Sequence, residues 1–164
     1  MGWSPEMLRR LNQEKVRFIV VGGVAAIKYG SARITEDVDI CAPLDEENAR
    51  NIIRAMSGLH PRWRMRPDLP VVSADSPQLT GLKNMYLRTD MGQLDVLGEL
   101  TGVGTFAEIE SRSVEGDFGD GILCRVLDLE TLIASKQAVG RDKDRPAVHE
   151  LKLIRDRLSQ NKQP

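Results

Sequence analysis

Cysteine is scarce: Cys41 and Cys124 are the only two among 164 residues. They lack metal-like spacing and form no disulfide framework, which fits a reducing cytoplasm. Cys41 follows an acidic segment and Cys124 sits in an apolar run, so both read as buried small hydrophobes. An excess of charge of either sign is missing too. Lys and Arg number 23 against 24 Asp and Glu, for a formal net charge of −1. No global basic field is available to hold nucleic acid without specific contacts, although a local patch would suffice for RNA. No apolar run reaches the length of a membrane span, so no membrane partner is expected. The segment 1–6 lacks a charged start followed by an apolar core, so no signal peptide is expected. There are no repeats and no linker long enough to divide the chain. With 41% apolar and 29% charged residues, the composition is that of one globular domain over 1–164 with a real core.

What is present is concentrated in residues 16–41. Val16 to Val21 is a β-branched and aromatic run suited to a buried strand, and Gly22-Gly23 stops it. Val24 to Tyr29 reads as a short helix closed by Gly30. Asp37-Val38-Asp39-Ile40 reads as a second strand. Side chains alternate along a strand, so Asp37 and Asp39 share one face while Val38 and Ile40 point to the core. Two carboxylates so placed repel, and one of them tends to bind a proton unless a cation intervenes. Mg²⁺ suits such a pair, since it takes carboxylate and phosphate oxygens. The glycines let a phosphate approach the backbone, and N–H groups at a helix start attract anions. Taken singly, the glycines make an ordinary turn and the acids a solvated strand face.

Elsewhere the pattern is structural. Ser4-Pro5 opens a helix over 5–14 with Met7, Leu8 and Leu11 inward. Leu44 to Ser57 is a helix with acids in its first turn and a stripe of Ile52, Ile53 and Met56. His60 to Pro67 is the most basic stretch. Arg62, Arg64 and Arg66 share a parity, so it reads as a strand or loop with one wet side; stacking on bases beside Trp63 is the alternative. Residues 67–82 look irregular. Strands follow at 84–89 and 93–97, and Asp95 in the second stands among apolar neighbours, where a carboxylate without a partner is costly to bury. After a glycine-containing connection and a helical turn at 105–109, two strands are expected at 113–118 and 121–127. Helices follow at 128–139 and 145–159, the last with a stripe of Leu151, Ile154 and Leu158 and with His149 on its surface. The tail from Ser159 is expected to fray.

The order Val21-Gly22-Gly23, a spacer, then Asp37-Val38-Asp39-Ile40 resembles the nucleotidyltransferase superfamily that includes DNA polymerase beta. With Tyr29-Gly30, Arg33 and Thr35, it looks most like small prokaryotic members, including abortive-infection type toxins. Leu132-Ile133-x-x-Lys136 and Gly140-Arg141-x-Lys143-Asp144 are similar to further motifs of those proteins. The resemblance implies an α/β (α+β) fold: a mixed, mostly antiparallel sheet flanked by helices, with helices 128–159 packed on it. It implies transfer of NMP from an NTP to an acceptor hydroxyl on RNA, protein or a small molecule. Asp37, Asp39 and Asp95 would be catalytic and would hold Mg²⁺ or Mn²⁺, Asp95 completing a second metal site. Gly22, Gly23, Arg33, Thr35, Lys136 and Lys143 would bind the nucleotide; for Arg33 and the two lysines a solvated charge is an equal alternative. An antitoxin or a second copy would be a partner. A non-catalytic nucleotide- or partner-binding domain of the same fold, such as a toxin–antitoxin component, is the other reading. An aminoglycoside-type adenylyltransferase has similar residues but usually an added acceptor-binding domain. One departure is Gly23, where other members have a serine whose hydroxyl contacts phosphate.

Overall fold

Met7, Leu8 and Leu11 lie on one face of helix α1 (Glu6–Gln13) and are wholly buried. Ser4 Oγ accepts the otherwise unpaired Glu6 N–H at 3.2 Å, as expected of a residue just before the helix. Met7 reaches Thr89 of β4 (Asn84–Thr89), whose Met85 and Leu87 are also buried. Helix α1 therefore covers that face of the sheet, together with α3 (Glu46–Met56), which contributes Ile52, Ile53 and Met56. Asp45 caps α3 by accepting the Asn48 N–H. The computed structural model describes residues 2–162; of the tail expected to fray, Gln163 and Pro164 lie outside the described residues.

The seven-stranded sheet has the order β3-β4-β5-β2-β1-β9-β8, with β1 Ile19–Val21, β2 Val38–Cys41, β3 Arg62–Trp63, β5 Gly92–Leu97, β8 Ser113–Asp117 and β9 Leu123–Leu127. Four of its pairings are antiparallel and two, β1 with β9 and β2 with β5, are parallel. The short strands β6 (Glu99–Leu100) and β7 (Gly104–Thr105) form a separate ribbon ahead of helix α4 (Phe106–Ile109). Helices α5 (Leu129–Val139) and α6 (Arg145–Gln160) pack on each other, and α5 also touches α2 (Gly22–Lys28). This is the mixed, mostly antiparallel α/β architecture expected. Among the described residues no helix is long and apolar enough to cross a membrane.

Several boundaries differ from expectation, each for a physical reason. The first strand begins at Ile19 rather than Val16. Lys15 turns with φ +56°, and the Arg17 N–H and C=O are bonded by the side chain of Asn48 at 2.9 and 3.1 Å instead of by a strand. The glycine pair lies inside the first turn of α2, not ahead of it. Gly30, with φ +107°, follows the helix as expected. Leu158 is 44% exposed, so the stripe of α6 ends with the half-buried Ile154. Both cysteines are free and buried; burial pushes Cys41 up to about 12 and Cys124 up to about 11, which leaves both as inert thiols near neutral pH.

Candidate active site

The carboxylates are brought together by register. Strands β2 and β5 run parallel, with Val38 opposite Leu94, Asp39 opposite Asp95 and Ile40 opposite Val96. The apolar partners are fully buried. Alternation therefore turns Asp39 and Asp95 to the other face, side by side. Asp37 precedes β2 by one residue, and its charge acts on both Asp39 and Asp95.

Across the antiparallel pairing of β1 with β2, Val21 stands opposite Asp39, so the chain enters α2 directly beside that carboxylate. Gly22 makes the turn with φ +65°, and a Cβ on it would overlap Asp39 Oδ2. Only glycine fits on both counts. The Gly23 N–H donates to the Asp39 carboxylate. The first service of the glycine turn is thus to seat an acid. A Cβ on Gly23 would stand 3.0 Å from both Cβ and Oγ1 of Thr35. A serine here would need Thr35 to move. Thr35 itself donates to the Asp37 carbonyl at 3.2 Å and so braces the approach to β2.

The electrostatics follow from this crowding. Burial, and then the charges of Asp95 and Asp37, push the Asp39 carboxyl up to about 6, against the pull of Lys136 and the Gly23 N–H. Burial also raises Asp95, although Arg64 opposes it. Burial depresses the Lys136 ammonium, with Asp144 and Asp39 acting the other way. Lys136 comes from α5 and stands on the wall between two openings. The larger, about 340 Å³, is lined by Gly22, Asp39, Tyr86, Glu99, Lys136 and Arg141 among others. The smaller, about 190 Å³, is lined by Gly23, Arg33, Thr35, Lys136 and Lys143. Seven of the nine residues singled out from the sequence thus line one or other opening, and Asp37 and Asp95 act on Asp39 from beside it. They are not equally committed to the site. Arg33 is half exposed and lies 3.9 Å from Glu150, and Lys143 is exposed on the turn between α5 and α6.

The three acids lie close enough for the charges of Asp37 and Asp95 to act on Asp39. Among the described residues no three His, Cys, Asp or Glu side chains are grouped so as to hold a metal. The Asp95 carboxylate is taken by Arg64, whose Nη1 lies 2.6 Å from Oδ1. Two carboxylates, Asp37 and Asp39, remain for a hard cation. The repulsion that raises Asp39 is the kind such an ion relieves, so these residues fit Mg²⁺.

Arg64 is the residue that sequence reasoning passed over. Of the three arginines of like parity, Arg66 pairs with Asp68 on the surface and Arg62 is exposed, whereas Arg64 turns in. Parity put all three arginines on one side without singling out Arg64; the alternation that sets Tyr86 opposite Asp95 also sets Arg62 opposite Arg88. Glu150 was also missed. It receives the Ser31 hydroxyl and the Ala32 N–H, and these bonds hold its carboxyl below the usual range.

No family model matches the chain, and no curated protein matches it in sequence. Its structure is similar to a crystal structure from Thermotoga maritima, of a protein whose own assignment as a nucleotidyltransferase is provisional. The TM-score is 0.54 at 20% identity, over 94% of this chain and 89% of that one. The chain shares its fold with that protein. At this identity the likeness speaks for the fold alone.

Proposed function

We propose that the chain is a nucleotidyltransferase, moving NMP from an NTP to an acceptor hydroxyl. The observation that carries the reading is the in-register pair Asp39 and Asp95 beside a glycine turn that only glycine can make. Asp37 and Asp39 would hold Mg²⁺, or Mn²⁺ in its place, which would neutralise charge on the triphosphate and stabilise the leaving oxygen. Gly22 and Gly23 let the triphosphate lie close to the backbone. Lys136 faces it from α5, with Arg33, Thr35 and Lys143 around the adjoining opening. The acceptor oxygen bonds to the α-phosphorus as the bond to the bridging oxygen breaks, and pyrophosphate leaves. Asp95, raised by burial, takes the proton of the hydroxyl.

The likeness to abortive-infection toxins rests on the sequence motifs, and an antitoxin or second copy as partner belongs to the same proposal. So does a cytoplasmic location, which suits two unpaired thiols. RNA, protein and small molecules remain open as acceptors. The test is binding of Mg²⁺–NTP and transfer of its label. Asp39→Ala is expected to abolish transfer while the fold persists. A folded protein with no affinity at millimolar nucleotide overturns the reading.

One observation favours the other reading, a non-catalytic nucleotide- or partner-binding domain: the Asp95 carboxylate is already paired with Arg64. Nucleotide bound, with no label passed to total RNA or protein, would decide for it.

A further inference from the structure

Arg64 has no part in the reaction described above, yet four contacts hold it. Its backbone N–H donates to the Tyr86 carbonyl at 3.0 Å, just past the end of β3. Its guanidinium carbon lies 5.1 Å from the centre of the Tyr86 ring, within range of a cation–π attraction. Nη1 donates to Gln93 Oε1 and to Asp95 Oδ1, each at 2.6 Å. Tyr86, Gln93 and Asp95 are near neighbours through the pairing of β4 with β5, so the arginine is clamped by the sheet itself. The side chains of Arg64 and Asp95 are only 23% and 18% exposed. A surface pair competes with water; this one is largely sheltered from it.

A two-metal reaction centre needs an acid that shares its oxygens with the second ion, and the ions stand roughly 4 Å apart. Asp95 is the residue that would serve. Its Oδ1 already accepts from a fixed guanidinium, and a divalent ion brought to the same carboxylate would be repelled by that charge.

We infer that the site takes one divalent cation, held by Asp37 and Asp39, and that the guanidinium of Arg64 serves at Asp95 in place of a second. This rests on the proposed nucleotidyl transfer and narrows it. Arg64 is a positioning residue: it acts through Asp95, fixing that carboxylate on the face of the sheet that carries Asp39.

The test counts Mn²⁺ per chain by electron paramagnetic resonance of the free ion, on the full chain with a non-hydrolysable ATP analogue, after subtracting the Mn²⁺ that the same analogue takes up without protein. The unaltered protein is expected to bind one Mn²⁺, and Asp95→Asn still one. Arg64→Gln, which frees Asp95, is expected to bind two, and Arg64→Lys, which keeps the charge, one. Two Mn²⁺ in the unaltered protein overturn the inference, as does a single Mn²⁺ in a folded Arg64→Gln. The unaltered protein and Asp95→Asn decide the matter even should Arg64→Gln not fold. Failure to bind the analogue at all is a different result: it removes the nucleotide reading itself, and the metal count with it.

Discussion

Replacing Asp39 by Asn is expected to make the protein more stable at pH 8, not less. The Asp39 carboxyl is pushed up to about 6 in the fold from an ordinary value of 3.8. Between those values the folded state binds a proton that the unfolded chain has released, so stability falls as pH rises through that window. Below it the side chain is neutral in both states and nothing is lost. Above it the full cost applies, about 3 kcal/mol for a shift of roughly two units at 1.36 kcal/mol each. The attraction of Lys136 is already inside that figure, since it is one of the causes that set the value. Asn has the shape of the protonated acid, keeps an oxygen for the Gly23 N–H and carries no charge. For a chain of this size about 3 kcal/mol is on the order of 6–12 °C in Tm. The assay is thermal unfolding of both proteins at pH 8 and at pH 3.5, without divalent ions. The variant should melt higher at pH 8, and the two should converge at pH 3.5. Millimolar Mn²⁺ should narrow the gap at pH 8 by stabilising the unaltered protein alone. A variant that melts lower than the unaltered protein at pH 8 refutes the reasoning: the charge on Asp39 would then be compensated within the fold.

Two further changes test the framework that seats the acids. Gly22→Ala combines a left-handed backbone with a Cβ that overlaps Asp39 Oδ2; it should cost more than about 2 kcal/mol in urea unfolding. Gly30→Ala, also at positive φ but facing open space, should cost only the backbone strain. Asn48→Ala removes the side chain that bonds Arg17 N, Arg17 O and Pro43 O from a position only 1% exposed. Leaving those groups unpaired should cost about 3 kcal/mol by the same measurement.

Much of the fold was legible because local rules and tertiary packing agree. The stripe of Met7, Leu8 and Leu11, the acids in the first turn of α3, Gly30 after α2 and the alternation around Val38 and Ile40 each point to the element that forms. Where they disagree, a distant residue decides. Residues 16–18 have the composition of a strand, but Asn48 satisfies the backbone at Arg17. Leu158 continues a helical stripe, but among the described residues none covers it, and it stays 44% exposed.

The same division runs through the site. Chain order alone placed Asp37 and Asp39 on one face beside two glycines, because the period of a strand and the freedom of glycine are properties of a few consecutive bonds. That Asp95 lies level with Asp39, that Lys136 stands against both openings, and that Arg64 rather than Arg62 or Arg66 meets Asp95 were decided only by the folded sheet. Strand pairing joins residues dozens of positions apart, and its register depends on how the buried faces of β4, β5 and β2 pack, which no short stretch of sequence contains.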